Sequence, residues 1–229
     1  MKLVLFDIDG TLLWTDGAGR RSMEGALTEI FGHAGDTTYR YDGKTDRQIA
    51  REQMRAAGVE DALISARMDE VLHAYVQRLE QELDRDASTS RLCGGVLPLL
   101  DAVDAHAQAT LGLLTGNVES GARRKLRAVG VDFERFRIGA FGSDHEERPQ
   151  LPAVAQRRAE AFFGAPMPGD RMVIIGDTPA DIHCGRALGV RAIGVATGRY
   201  SVDDLAAHHP AAVFETLHDT DAVLAAILG

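Results

Sequence analysis

Five short apolar runs, at 3–6, 111–114, 137–141, 172–175 and 192–195, each end at or near Gly, Asp or Thr. Runs of this length without polar alternation are characteristic of strands buried on both faces. Between them the apolar residues recur with a helical period: Ala122, Leu126 and Val129; then Ile182 and Leu188; then Val223, Leu224, Ile227 and Leu228. Strand–helix alternation from about residue 92 onward leaves few options. It predicts an α/β fold built on a parallel sheet with right-handed crossovers.

Residues 15–88 break that rhythm. Met23, Leu27, Ile30 and Phe31 form one helical stripe, and Leu72, Val76, Leu79 and Leu83 form a second at spacings of four, three and four. No strand-like run lies between them, so an all-helical insert after the first strand is expected. The chain would pass between the two parts near 17–19 and 88–95, where glycines and small polar residues suit hinges or ordinary loops. The predicted division is a core of 1–14 plus 89–229 and a small helical domain of 15–88. A length of 229 residues accommodates one large domain or two small ones.

Charge and cysteine usage narrow the setting. Lys and Arg number 25 against 34 Asp and Glu, a net charge of −9, which argues against a non-specific grip on nucleic acid or an anionic membrane face. Two cysteines, Cys93 and Cys184, are too few for a disulfide scaffold and suit a reducing cytosol. Acids arrive too early for a signal peptide, and no apolar run reaches the ~18 residues of a membrane span. A cytoplasmic protein without nucleic-acid or membrane partners is expected.

Three motifs carry chemistry. The first strand delivers Asp7-Ile8-Asp9-Gly10-Thr11-Leu12, and in extended backbone Asp7 and Asp9 share a face at the strand's C-terminal end. Such ends of parallel sheets are where ligands bind. Two carboxylates this close need a cation or a proton between them, unless the segment is simply a strand-to-turn exit. The second strand of the set is followed by Thr115-Gly116-Asn117, a hydroxyl and backbone amides that form either an anion site or ordinary loop. The third leads into Gly176-Asp177-Thr178-Pro179-Ala180-Asp181. There Asp177 and Asp181 read either as a cation ligand with an orienting partner, or as a helix N-cap with a first-turn acid. All three motifs fall at the C-terminal ends of predicted strands and so converge on one rim.

In this order and context the three motifs resemble motifs I, II and IV of the haloacid dehalogenase-like hydrolases, in particular the phosphoglycolate-phosphatase-like members. The helical insert resembles the cap that family carries between motifs I and II, so the resemblance covers essentially the whole chain. It implies a Rossmann-like parallel-sheet core with a small helical cap. One departure stands out. Those members usually have Lys-Pro shortly before the helix leading to motif IV, whereas this chain reads Glu146-Glu147-Arg148-Pro149. Arg148 stands as the replacement, unless it is a surface arginine in an acidic loop. Arginine keeps the charge and can hold phosphate in a bidentate fork, but it is not an equivalent point charge. Lys125, on the helix after Thr115, is the weaker candidate for that cation, the other reading being a solvated lysine.

The resemblance implies a Mg²⁺-dependent phosphatase acting on small phosphorylated metabolites. Asp7 would be the nucleophile that forms an aspartyl-phosphate, and Asp9 the general acid and base. Mg²⁺ would be held by Asp7, the Asp9 carbonyl and Asp177, with Asp181 in support behind them. Thr115, Gly116, the Asn117 amide and Arg148 would bind the phosphoryl oxygens. Asp9 favours phosphate esters over dehalogenation, because a departing halide needs no acid. Lys44 or Arg47, in the Asp42-Gly43-Lys44-Thr45-Asp46-Arg47 segment of the cap, would meet the distal end of the substrate. Trp14 would line the cavity or pack at the hinge. Eight histidines are scattered; His183 with Cys184, and His208 with His209, read as packing and a helix end. Two alternatives stand beside the phosphatase: a sugar-phosphate mutase using the same aspartates, and a non-catalytic phosphate-binding member.

Overall fold

The computed structural model describes residues 1–85 and 89–229. Six parallel strands form one sheet in the order β5-β4-β1-β6-β7-β8. They are β1 (Lys2–Phe6), β4 (Ala109–Thr115), β5 (Ile138–Phe141), β6 (Met172–Gly176), β7 (Arg191–Val195) and β8 (Ala212–Phe214). Each of the five apolar runs is a strand. The sixth, β8, is a half-buried edge strand of only three residues, Ala-Val-Phe, too short to stand out. Strand order reverses direction at β1, which lies between β4 and β6 and pairs with both along most of its length. That reversal opens a crevice at the carboxyl ends of the central strands.

Alternation within β1 shows why its run is continuous. Val4 and Phe6 face one core with α4 (Val96–Ala105), α5 (Glu119–Ala128) and α9 (Thr220–Leu228). Leu3 and Leu5 face the opposite core with α6 (Leu151–Phe163) and α7 (Pro179–Cys184). Both faces are covered, so every position is apolar. The expected single helix through Ile182 and Leu188 ends earlier, at Cys184, and a separate turn of 3₁₀-helix spans Arg186–Leu188. The break falls at Gly185, where a Cβ would lie 2.6 Å from Val190 Cβ. Close packing there requires glycine and interrupts the helix. The fifth short helix, α8 (Val202–Ala206), ends just before His208 and His209.

The helical segment contains α1 (Ala18–Phe31), α2 (Asp46–Ala56) and α3 (Asp61–Arg85). Met23 and Leu27 of α1, Ile49 and Met54 of α2, and Ile64, Leu72, Tyr75 and Leu79 of α3 close a separate apolar cluster, joined by Val118 from the sheet-bearing part. The sequence pattern did not reveal α2 because its buried face includes Asp46 and Gln53 beside Ile49, Ala50 and Met54. Its start is nonetheless encoded: Thr45 caps it by accepting the Gln48 N–H, so Asp46 and Arg47 belong to the first turn and not to a loop. At the junction, β2 (Leu13–Trp14) pairs antiparallel with β3 (Arg91–Leu92), tying the outgoing and returning chains together. The expected return point begins at Ser88, which lies outside the described residues.

Leu79 has no exposed surface and sits in the helical cluster. Leu79→Ala is expected to lower the unfolding free energy by roughly 2–5 kcal/mol, measured by urea denaturation.

Candidate active site

Adjacent strands deliver the chemistry. Asp7 follows β1, Thr115 ends β4, and Asp177 follows β6, so the pairing of β4, β1 and β6 brings all three side chains to one rim. Arg148 comes from one strand further out, after β5, in the 3₁₀ turn Arg148–Gln150 that opens α6. It is buried, with 4% of its surface exposed, so it is no surface arginine. Its Nη2 lies 3.2 Å from Asp7 Oδ1 and also donates to Asp181 Oδ1.

The turn after β6 resolves the two readings of its acids. Thr178 is the N-cap of α7, not Asp177. Its hydroxyl accepts the Asp181 N–H, while Asp181 Oδ2 accepts the Thr178 N–H at 3.0 Å and hydroxyl at 2.6 Å, a reciprocal capping box. Capping is thereby satisfied without Asp177, which turns into the site and accepts a hydrogen bond from Thr11 Oγ1 at 3.1 Å. Gly10 makes room for it. Its φ is +81°, and a Cβ there would fall 2.4 Å from Asp177 Oδ2.

Oxygens of Asp7, Asp177 and Asp181 lie within 4.8 Å of one another, and all three residues are buried. Three carboxylates against one guanidinium leave two negative charges. Burial pushes the Asp7 carboxyl up to about 6, against the pull of Arg148, with Asp181 and Asp9 adding repulsion. Burial likewise pushes Asp177 well above the carboxylate range, reinforced by Asp181 and Asp7. An uncompensated, all-oxygen cluster is what a hard divalent cation fits. Arg148 Nε is buried without a hydrogen-bond partner among the described residues.

Asp9 is not part of that cluster. Its carboxylate turns to the opposite side, where Lys125 Nζ lies 2.7 Å from both oxygens and Asn117 Nδ2 donates to Oδ2 at 2.7 Å. The expectation that Lys125 is solvated is therefore corrected: it is buried, with 4% exposed. The signal was present in the sequence, because Lys125 falls three residues after Ala122 and beside Leu126 on the buried stripe of α5. Asn117 also differs from expectation. Its backbone N–H donates to Thr115 Oγ1 at 3.3 Å, and its side chain bonds Thr115, Asp9 and Lys125. Gly116 faces the helical segment: its carbonyl accepts the Asp46 N–H, and a Cβ on it would lie 2.0 Å from the Lys44 carbonyl oxygen.

The helical segment closes over this rim. Asp46 Oδ2 accepts the Val118 N–H at 2.8 Å, and Arg51 Nε meets Glu146 Oε1 at 2.6 Å. Between the two parts is a cavity of about 200 Å³ lined by Asp7, Asp9, Thr115, Arg148 and Asp177 from below and by Tyr41, Lys44, Asp46 and Tyr75 from above. Trp14 lines it too, and its Nε1 donates to the Thr197 carbonyl, so it both packs at the junction and faces the cavity. Lys44 is paired with Glu52 at 2.7 Å. Although burial raises the Glu52 carboxyl, hydrogen bonds from Lys44, Tyr39 and Gln48 bring it down to about 2. Arg47 does not line the cavity; it pairs with Asp69 on α3.

The sequence agrees with this constellation. The family model of the haloacid dehalogenase-like hydrolases matches residues 4–186. The chain belongs to that family. Among solved structures it is similar to a hydrolase from Pseudomonas syringae, with 19% identity, 98% of each chain covered and a TM-score of 0.73. It is also similar to a predicted phosphoglycolate phosphatase from Haemophilus somnus, with 21% identity, 98% of each chain and a TM-score of 0.69. A third is CbbY from Rhodobacter sphaeroides in complex with phosphate, with 18% identity, 96% of each chain and a TM-score of 0.65. Comparison with curated proteins returns no match. As a member of this family the chain is a hydrolase with the family's α/β fold. No helix among the described residues is long and apolar enough to cross a membrane.

Asp46 offers a pH test of the contact between the two parts. Burial raises its carboxyl to about 6, although Lys125 and the Val118 N–H favour the charged form. A raised carboxyl makes the folded state bind more protons than the unfolded one, so stability falls as pH rises from about 4 through about 6. Asp46→Asn keeps an acceptor for Val118 and removes the titration. Its stability relative to the parent protein is expected to increase by on the order of 2–3 kcal/mol between pH 4 and pH 7, read from urea unfolding at the two pH values.

Proposed function

We propose that this hydrolase is a phosphatase of small phosphate monoesters, working through an aspartyl-phosphate on Asp7 and requiring Mg²⁺. The observation that carries the reading is the buried cluster of Asp7, Asp177 and Asp181 with Arg148 in the cavity between the two parts, and Asp9 held separately at its side. Asp7 is the group that attacks phosphorus. Arg148, bridging Asp7 and Asp181 through Nη2, holds the nucleophile in place and lends its positive charge to the non-bridging oxygens. Thr115 accepts both Asn117 N–H groups at its oxygen and keeps its own hydroxyl hydrogen for Asp7, whose carboxyl that bond helps hold down.

Asp9 then serves the proton. It gives one to the ester oxygen as the P–O bond breaks, and takes one from the water that attacks the phospho-enzyme. A divalent cation held by Asp7 and Asp177, with the Asp9 carbonyl, would screen the repulsion between the anionic nucleophile and the anionic substrate. Asp181, engaged by Thr178 and Arg148, would orient that set from behind. We assign residues 15–88 the role of a cap that excludes water from the phosphoryl group. The small cavity supports a small metabolite, below the ~300–1,000 Å³ common for drug-sized ligands. CbbY, one of the similar structures, holds phosphate. Lys44 is assigned to the distal end of the substrate, although its pairing with Glu52 spends much of its charge locally.

The test is inorganic phosphate release from a panel of small phosphate esters, with Mg²⁺ and with a chelator. Release is expected with Mg²⁺, is lost on chelation, and falls by at least about 10³-fold in Asp7→Asn, which removes the nucleophile but little volume. Release without any bisphosphate activator separates the phosphatase from a mutase. Retained turnover in Asp7→Asn sinks the covalent route. Arg148→Ala is expected to raise KM and lower kcat together, by roughly 10–10³-fold in kcat/KM, because it removes both the brace on Asp7 and the positive charge lent to the phosphoryl oxygens. Wild-type kinetics in that variant would assign the task to another cation.

A further inference from the structure

Lys125 has no task in the chemistry so far described, yet it is the most completely engaged cation in the site. An ammonium has three donors. Here one partner is Asp9 Oδ1, another Asp9 Oδ2 and the third Asn117 Oδ1, each at 2.7 Å. Its hydrogen-bond partners are all side-chain oxygens of the site itself, although the residue lines the cavity. Its surroundings complete the enclosure. Asp46 and Tyr75 of the helical segment face it, and Gly19 on α1 leaves room for it, since a Cβ there would lie 3.3 Å from Nζ. Lys125 therefore sits on a core helix with the sheet rim on one side and the helical segment on the other.

We propose that Lys125 is a positioning residue for Asp9, holding its carboxylate so that one Oδ1 lone pair alone is left to carry the proton. A carboxylate has about four acceptor sites. Lys125 takes one on each oxygen and Asn117 takes a second on Oδ2, which leaves one on Oδ1. Without the clamp, Asp9 is a 39%-exposed side chain free to rotate in a cavity that also contains Asp7 and Asp177. With it, the carboxylate has one orientation. In the first step the proton on Oδ1 passes to the ester oxygen, which leaves with the electron pair of the broken P–O bond as a neutral alcohol. In the second step water gives a proton to the same Oδ1 as its oxygen bonds to phosphorus, and the Asp7 carboxylate departs with its own electron pair. This role deepens the phosphatase reading and rests on it.

A holder of the general acid should matter in proportion to how much the leaving group needs a proton. The experiment compares kcat/KM for a primary alkyl phosphate and for 4-nitrophenyl phosphate, in the parent protein, Lys125→Met, Lys125→Gln and Asp9→Asn. This parameter reports events up to departure of the alcohol, so the later hydrolysis of the phospho-enzyme does not mask the comparison. Lys125→Met is expected to lower the alkyl value by on the order of 10²-fold and the nitrophenyl value by less than about 5-fold, the same pattern as Asp9→Asn. Lys125→Gln retains one donor and is expected to recover part of the alkyl rate; it also supplies the comparison if the methionine variant does not fold. Inhibition by inorganic phosphate should change by less than about threefold. Equal losses on both esters would assign Lys125 a purely structural role and overturn the proposal. So would a tenfold weaker phosphate inhibition, which would make it an anion ligand. A parent protein that releases phosphate from neither ester overturns the phosphatase reading, and the role of Lys125 with it.

Discussion

The balance of buried charge at the carboxyl ends of β4, β1 and β6 is the constraint on which this molecule turns. Asp7, Asp177 and Asp181 are crowded on one side, Asp9 and Asp46 lie on the other, and two cations, Arg148 and Lys125, stand among them. Desolvated carboxylates repel strongly unless each is paired, protonated or bound to a metal. The architecture divides the problem in two. Arg148 pairs with Asp7 and Asp181 in the three-carboxylate cluster, and Lys125 pairs with Asp9. Asp7 and Asp9, two residues apart in sequence, thus sit in two different carboxylate environments within one rim, the condition under which the roles proposed for them could differ.

Much of the surrounding backbone follows from keeping those charges close. Glycines stand wherever one part of the rim must approach another. Gly10 admits Asp177, and Gly116 admits the Lys44 carbonyl. The capping box of Thr178 and Asp181 has the same effect by other means, because it satisfies the start of α7 and frees Asp177 for the site. The helical segment then adds Asp46, whose carboxylate reaches the start of α5 through the Val118 N–H.

The fold was legible where burial is uniform and hidden where it is mixed. Leu3 to Phe6 face cores on both sides and read as a strand at once, whereas Ala212 to Phe214 are half-exposed and do not. The stripes of α1 and α3 stood out, but α2 buries Asp46 and Gln53 and so looks like a polar loop. Asp7, Asp9, Thr115 and Asp177 do line one cavity, as strand periodicity and strand ends led one to expect, because those features dictate where their side chains go. Lys125 stood second to Arg148 and was read as solvated because a lysine is normally exposed; only its place on the stripe with Ala122 and Leu126 argued for its burial. Whether Asp177 caps α7 is decided by competition with Thr178 for the same backbone amides, which spacing alone does not rank.

The short ribbon of β2 and β3 has a consequence for the history of such a chain. Leu13 pairs with Leu92 and Trp14 with Arg91, so the helical segment departs from and rejoins its host at a single point. The host sees the same closed gap whatever lies beyond it, and the entropic cost of a longer excursion grows only as the logarithm of its length. A segment attached in this way is free to be lengthened, shortened or exchanged for another without disturbing the strands beneath it.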